Sequence, residues 1–166
     1  NLEVGKNVEH EIIRAPAGAD LELDSGAQLD EQGADLPRDL ATRLDAPLVL
    51  SGYSRLVIDC NRPLRSAQSI AEESDGVCIA GNLGLSPDER GVRADALFRP
   101  YHDAIARVLD RRTGRPTVLL SIHSFTPALA GHARPWNVGV SSRRERRLAS
   151  LLLAELGADR DGLTVG

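Results

Sequence analysis

The sequence predicts an α/β fold: three layers, α/β/α, around a mainly parallel sheet. Three observations carry this expectation. Segments with helical spacing alternate along the chain with short apolar runs, which is the pattern of strands joined by helices packed on both faces. The run Thr117–Ile122 reads as apolar on both faces, as a central parallel strand should. The chain has 166 residues, 42 % of them apolar, enough for one domain with its own core and no need of a disulfide framework.

The elements follow in order. Leu2 and Val4 could open a strand, after which Gly5, Pro16, Gly18, Gly26 and Gly33 read as loops and turns. Leu36, Leu40 and Leu44 recur every four residues, one face of a helix with Pro37 in its first turn, and Asp45-Ala46-Pro47 ends it. Leu48–Leu50 is expected as a buried strand, residues 51–55 as a turn, and Leu56–Ile58 as a second strand ending at Asp59. Residues 63–90 hold no long periodic segment and read as a long loop. Ser86-Pro87-Asp88-Glu89 is a capping box with proline at the first helical position. The helix it opens is expected to reach Arg111 or Arg112, with Leu97, Tyr101, Ile105 and Val108 on one face and Gly114 beyond its end. Val138–Val140 is a further strand candidate. A helix through Leu156 is capped by Ser141 or Ser142, buries Leu148, Leu151 and Leu152, and stops at Gly157; Thr164-Val165 opens another strand.

Composition narrows the function. The formal net charge is −4, where a duplex-binding domain carries a basic excess, so no nucleic-acid partner is expected. Aromatics are only 3 %, too few to stack single-stranded bases. No run approaches the length of a membrane span, and no leader pattern is visible. Cys60 and Cys78 make no CxxC pair and are expected as two buried small hydrophobes, which points weakly to a cytoplasmic location. Methionine is absent even at position 1, so the expectation is a piece of a longer product; Lys6 is the sole lysine, an arginine bias of codon type. Patterns for phosphate loops, dinucleotide turns, serine-hydrolase elbows and HExxH metal helices are missing.

Ligands of open α/β sheets gather beyond the carboxyl ends of strands. Two clusters stand there. In Ser54–Arg62, Arg55 and Arg62 bracket an apolar stretch that ends at Asp59 and Asn61. A buried carboxylate needs a partner, so one arginine can brace Asp59 while the other binds an anion bidentately. The second cluster is Ser121-Ile122-His123-Ser124, with an imidazole placed for metal ligation or base catalysis. His10 is a second candidate ligand. His102 reads as a packing residue, His132 as part of a turn beside Arg134, and residues 143–147 as the wet face of a helix.

Tyr53-Ser54-Arg55, Asp59 and Asn61-Arg62-Pro63 resemble the YSR-x-x-x-D-x-NRP signature of the N-formylglutamate amidohydrolase family, and His123-Ser124-Phe125 is similar to its second signature. Ser74-Asp75-Gly76, Gly81-Asn82, Gly84-Leu85-Ser86, Pro100-Tyr101-His102, Arg134-Pro135-Trp136 and Val138-Gly139-Val140 follow in matching order, over about residues 34–157. The resemblance implies a phosphorylase/hydrolase-like fold, with residues 1–166 as one amidohydrolase-like domain continued by further chain. It implies hydrolysis of the N-formyl or related N-acyl amide of an acidic amino acid such as N-formylglutamate, giving formate and glutamate in histidine breakdown. The cofactor implied is Zn²⁺ or another divalent metal, which lowers the pKa of bound water towards about 7. Carried onto this chain, His123 and Asp59 are the catalytic residues. His10 and His123 are metal ligands, and Ser54, Arg55, Asn61, Arg62, Ser124 and Arg134 hold the acidic small-molecule substrate. Ile12 and Ile13 stand where the family carries small or polar residues. A second reading is a non-catalytic relative that binds a small anionic metabolite.

Overall fold

The computed structural model of the protein describes residues 9–14, 31–125, 127–129, 131–142, 146–158 and 162–166; the expectations at Leu2, Val4, Gly5, Pro16, Gly18 and Gly26 lie outside them, while Gly33, expected in a turn, lies in a helix. The chain divides into two units, Asn1–Phe125 and Thr126–Gly166.

In the first unit β1 (Glu9–Arg14) stands between β2 (Leu48–Leu50) and β5 (Val118–His123). It runs antiparallel to both, with His10 opposite Leu50 and Ile122, and Glu9 opposite His123. The mainly parallel sheet expected from the sequence is therefore not what these three strands form. β2 and β5 do point the same way, since both oppose β1, and the long helical connection between them is of crossover type. Alternation of helix and strand shows that a connection is long enough to cross over; it does not show which strand lies between the two it joins. β5 is also an edge strand among the described residues, not a central one, and Val118 and Leu119 are exposed.

The helix α1 (Glu31–Leu44) begins earlier than its leucine spacing implies, so Pro37 lies inside it and forgoes one intrahelical bond. Among its described side chains Pro37 and Ala41 are buried, while Leu36 is 61 % exposed. Asp45 closes it in a left-handed conformation (φ 47°), and the Ala46 amide donates to the Ala41 carbonyl at 3.0 Å.

Residues 63–90 are more ordered than a loop reading allows. A 3₁₀ turn (Ala67–Ile70) is capped by Ser66, and β3 (Glu73–Ser74) pairs with β4 (Val77–Cys78). Asp75 and Gly76, both at positive φ, make the two-residue turn of that hairpin. A second 3₁₀ turn spans Ala80–Asn82. Cys78 is exposed on the hairpin, unlike buried Cys60, and no disulfide joins them.

The capping box forms as read: the Glu89 amide donates to Ser86 Oγ at 3.3 Å, and the Ser86 amide donates to Glu89 Oε2 at 2.8 Å. The helix it opens is not continuous. α2 (Pro87–Arg93) passes through a π turn (Ala94–Phe98) into α3 (Arg99–Asp110). Pro100 is the physical reason: it cannot donate to the preceding turn and its ring crowds the carbonyl four residues back, which a wider turn relieves. Ile58, Ile70 and Ala94 form a core cluster with Leu64, Leu85, Leu97 and Phe98 against it, so this helix junction packs under the segment that carries Asp59.

In the second unit β6 (Ala128–Leu129) and β7 (His132–Ala133) form a hairpin, and α4 (Arg146–Gly157) follows. Val138 and Val165 form one isolated parallel bridge, so the strands expected at Val138–Val140 and Thr164-Val165 are reduced to this single pairing. Leu151 is exposed, against the expected buried face. Among the described residues no helix is long and apolar enough to cross a membrane.

Candidate functional site

The segment Ser54–Arg62 is built as turns. Ser54 Oγ accepts from the Leu56 amide at 3.2 Å, and the Ser54 carbonyl accepts from the Val57 amide at 2.8 Å. A serine side chain that takes the amide two residues on offers the backbone an alternative to a ladder. Leu56–Ile58 is consequently not the strand expected from its apolar run, and the strict two-fold alternation that would put Arg55, Val57 and Asp59 on one side does not apply. Ile58 alone of the three is fully buried, and it anchors the segment in the core. Ser54, expected to touch substrate, is engaged in this turn.

Asp59 is 3 % exposed and is satisfied from several directions. Its Oδ1 accepts from the Asn61 amide at 2.9 Å, and its own amide donates to the Ser69 carbonyl at 2.7 Å. Its Oδ2 lies 3.3 Å from Arg55 Nε and 3.9 Å from Arg62 Nε. The two arginines are not equivalent. The Arg55 side chain is 27 % exposed and forms the shorter ion pair, whereas that of Arg62 is 54 % exposed at the limit of pairing. Arg55 is thus the closer partner of the buried carboxylate, and the Arg62 side chain is the more open to solvent.

His123 ends β5, and its Nε2 is hydrogen-bonded to Ser121 Oγ at 2.8 Å. The ring has an open side, yet nearby atoms desolvate it enough to hold its pKa below the ordinary 6.5, and the Asp59 carboxylate opposes that shift. The ring therefore lies within electrostatic range of the Asp59 carboxylate. Ser121 is the residue that reading the sequence left without a role. Its signal was present: residues two apart on a strand share a face. With Nε2 engaged, Nδ1 is the nitrogen left to act in the site.

His102 is the packing residue expected. Its Nε2 donates to the Cys60 carbonyl at 2.9 Å, and its ring lies 4.2 Å from Phe98 and 5.3 Å from Tyr101, centre to centre. It holds the backbone next to Asp59 from the helix side. Ser124 is exposed directly after β5, and the Asn61 side chain is exposed beside Asp59. Arg134 belongs to the second unit, where its amide donates to the Pro127 carbonyl at 2.8 Å. The side chain of His10 lies outside the described residues; its backbone is in β1.

A catalytic zinc site takes three protein ligands. Among the described residues no three of histidine, cysteine, aspartate or glutamate gather in that way. His123 offers one imidazole nitrogen, and both oxygens of Asp59 are already engaged. These residues do not by themselves fit a metal.

The profile of the family described as N-formylglutamate amidohydrolase matches residues 5–166. An N-formylglutamate deformylase of Pseudomonas putida is 36 % identical over 83 residues, a match that covers 44 % of this chain and 31 % of the relative. The crystal structure of gene product Atu2144 from Agrobacterium tumefaciens is similar with a TM-score of 0.69 and 33 % identity, over 86 % of this chain and 56 % of that one. The mixed helix-and-strand architecture is thus shared with a solved structure. The chain spans about a third of the length of the first relative and little more than half of the second.

Proposed function

The chain belongs to the N-formylglutamate amidohydrolase family, and on that premise we propose that it is a hydrolase cleaving the N-formyl amide of an acidic amino acid, N-formylglutamate foremost, to formate and glutamate. What supports this reading is an exposed guanidinium, Arg62, beside one buried carboxylate, Asp59, with the imidazole of His123 within electrostatic range of that carboxylate. Arg62 grips a substrate carboxylate through two parallel N–H···O bonds. Asp59 holds Arg55 in place and keeps the anion-binding loop in shape, an organising role. Hydrolysis adds water across the C–N bond: oxygen goes to the formyl carbon and a proton to the departing amine. His123, kept neutral by its partial desolvation, is the imidazole of that centre. Dependence on a divalent metal, zinc by the family resemblance, and a cytoplasmic location belong to the proposal, with no step drawn through the metal.

The second reading, a non-catalytic relative that holds a small anionic metabolite, is favoured by one observation: the described residues supply fewer than three metal ligands. One assay separates the two. The protein is offered the N-formyl and N-acetyl forms of glutamate, aspartate and glutamine, with and without a chelator. Turnover of N-formylglutamate that is lost with chelator and restored by zinc is the expected result. Calorimetric binding of glutamate with no turnover under any metal supports the second reading.

Arg62→Lys tests the grip. Lysine keeps the charge and loses the fork, so KM is expected to rise by about tenfold, equivalent to one charge-assisted bond of about 1.5 kcal/mol. The melting temperature should move by no more than about 2 °C, because the side chain is half exposed and its ion pair long. A large drop in melting temperature at constant KM would assign Arg62 to bracing instead.

A further inference from the structure

Asn82 is 2 % exposed, and both the nitrogen and the oxygen of its side-chain amide are hydrogen-bonded within the protein. Nδ2 donates to the Leu56 carbonyl at 2.8 Å and to the Ala71 carbonyl at 2.6 Å, while Oδ1 accepts from Arg93 Nη1 at 2.7 Å. The same Nη1 donates to the Val57 carbonyl at 2.9 Å, and Nη2 donates to the Gly81 carbonyl at 2.6 Å. The nearby carboxylate of Glu89 is bound to Ser86, so the Arg93 guanidinium is spent on backbone carbonyls and one amide oxygen.

We propose that Asn82 and Arg93 are positioning residues for the anion-binding loop, tying down the Leu56 and Val57 carbonyls and thereby setting where Arg55 and Asp59 stand. This rests on the reading that Arg55, Arg62 and Asp59 form the substrate site. The turn Ser54–Val57 closes on one backbone bond and one serine side-chain bond. Left to those two, it would be a surface turn with a charged residue at its tip. The clamp adds two bonds from 26 and 36 residues away. The carbonyls it holds belong to the two residues after Arg55, and Asp59 lies two residues beyond. A guanidinium misplaced by about 1 Å can cost on the order of a hundredfold in a positioned reaction.

The chemistry requires these side chains. Two carbonyls converge on Nδ2, so only a primary amide can give to both while accepting from Arg93 on its other atom. Aspartate, of the same shape, would turn an oxygen against the two carbonyls. Lysine at 93 carries the charge but cannot reach acceptors in a fixed fork. Neither residue hydrogen-bonds to the Arg55 or Asp59 side chain.

The test uses Arg93→Lys, Arg93→Gln and Asn82→Asp in the full chain. Steady-state kinetics with N-formylglutamate are expected to show KM raised by about tenfold in Arg93→Gln with kcat within about threefold, and a smaller rise in Arg93→Lys. Hydrogen–deuterium exchange is expected to show lost protection confined to the amides of residues 56–62, with α3 unchanged. A merely structural role would lower kcat through the folded fraction, leave KM alone and raise exchange throughout; that result overturns the proposal. Should the wild-type protein hydrolyse no N-formyl amino acid, the functional reading fails, and the exchange experiment still judges the clamp: confined loss supports it, and no loss or general loss overturns it. Should Asn82→Asp fail to fold, the two Arg93 variants decide alone.

Discussion

His123→Ala is expected to lower kcat/KM for N-formylglutamate by at least about a thousandfold, the range lost with a positioned acid–base or ligating imidazole. The fold should survive. The side chain is open to solvent at the end of an edge strand, and substitutions at such places usually shift stability by no more than about 0.5 kcal/mol. Thermal melting and circular dichroism check the fold; formate release checks the activity. The pH dependence adds an independent readout. The folded-state pKa of His123 lies below 6.5, so the folded protein binds fewer protons here than the unfolded chain as pH falls through 6.5. This group's contribution to stability is fully present above that value and is lost as pH drops towards the folded pKa. Activity that needs the neutral ring should keep its plateau below pH 6.5 and fall only at lower pH. Retained turnover in His123→Ala, or an acid limb above pH 6.5, removes this residue from the centre.

Asp59→Asn is expected to damage both stability and binding. The carboxylate is buried, and its loss leaves the largely covered Arg55 guanidinium without its anion. Removing one partner of a fully buried pair costs about 3–5 kcal/mol; the partial exposure of Arg55 brings the expectation to about 2–3 kcal/mol. For a chain of this length that is a fall in melting temperature of about 5–10 °C. Asparagine keeps the acceptor for the Asn61 amide, so the backbone turn persists and the protein remains assayable. KM should rise, because Arg55 is released. The acid limb of activity should also move to lower pH, since the Asp59 charge is what raises the pKa of His123 against its desolvation. Unchanged melting would show that the carboxylate does not brace the loop; an unmoved acid limb would show that Asp59 and His123 act apart.

Much of the candidate site was legible in the residues because its parts are close in sequence. Asp59 and its arginines lie within four residues of each other, so their pairing could be reasoned from chain proximity and from the cost of burying a lone carboxylate. The capping box at Ser86–Glu89 is local in the same way. What escaped were interactions whose partner is far along the chain. Nothing near Leu56 announces that Asn82 and Arg93 will take the carbonyls of residues 56 and 57, yet that capture, with the Ser54 turn, is why three β-prone residues form no strand. The direction of β1 escaped for a related reason: strand pairing is set by which backbones meet, and an apolar run reads alike whether its neighbour is parallel or antiparallel.

The order of motifs was enough to establish the family, the existence and type of most helices, and the residue types available for gripping an anion, because each depends on neighbours within a turn or two of chain. Only the tertiary structure decided how far each group is covered, with Arg55 largely enclosed and Arg62 open, and which distant side chains, Asn82 and Arg93, clamp the loop that carries them. Burial and hydrogen-bond satisfaction are properties of what surrounds an atom, and for the carbonyls of residues 56 and 57 the surroundings come from segments 26 and 36 residues distant.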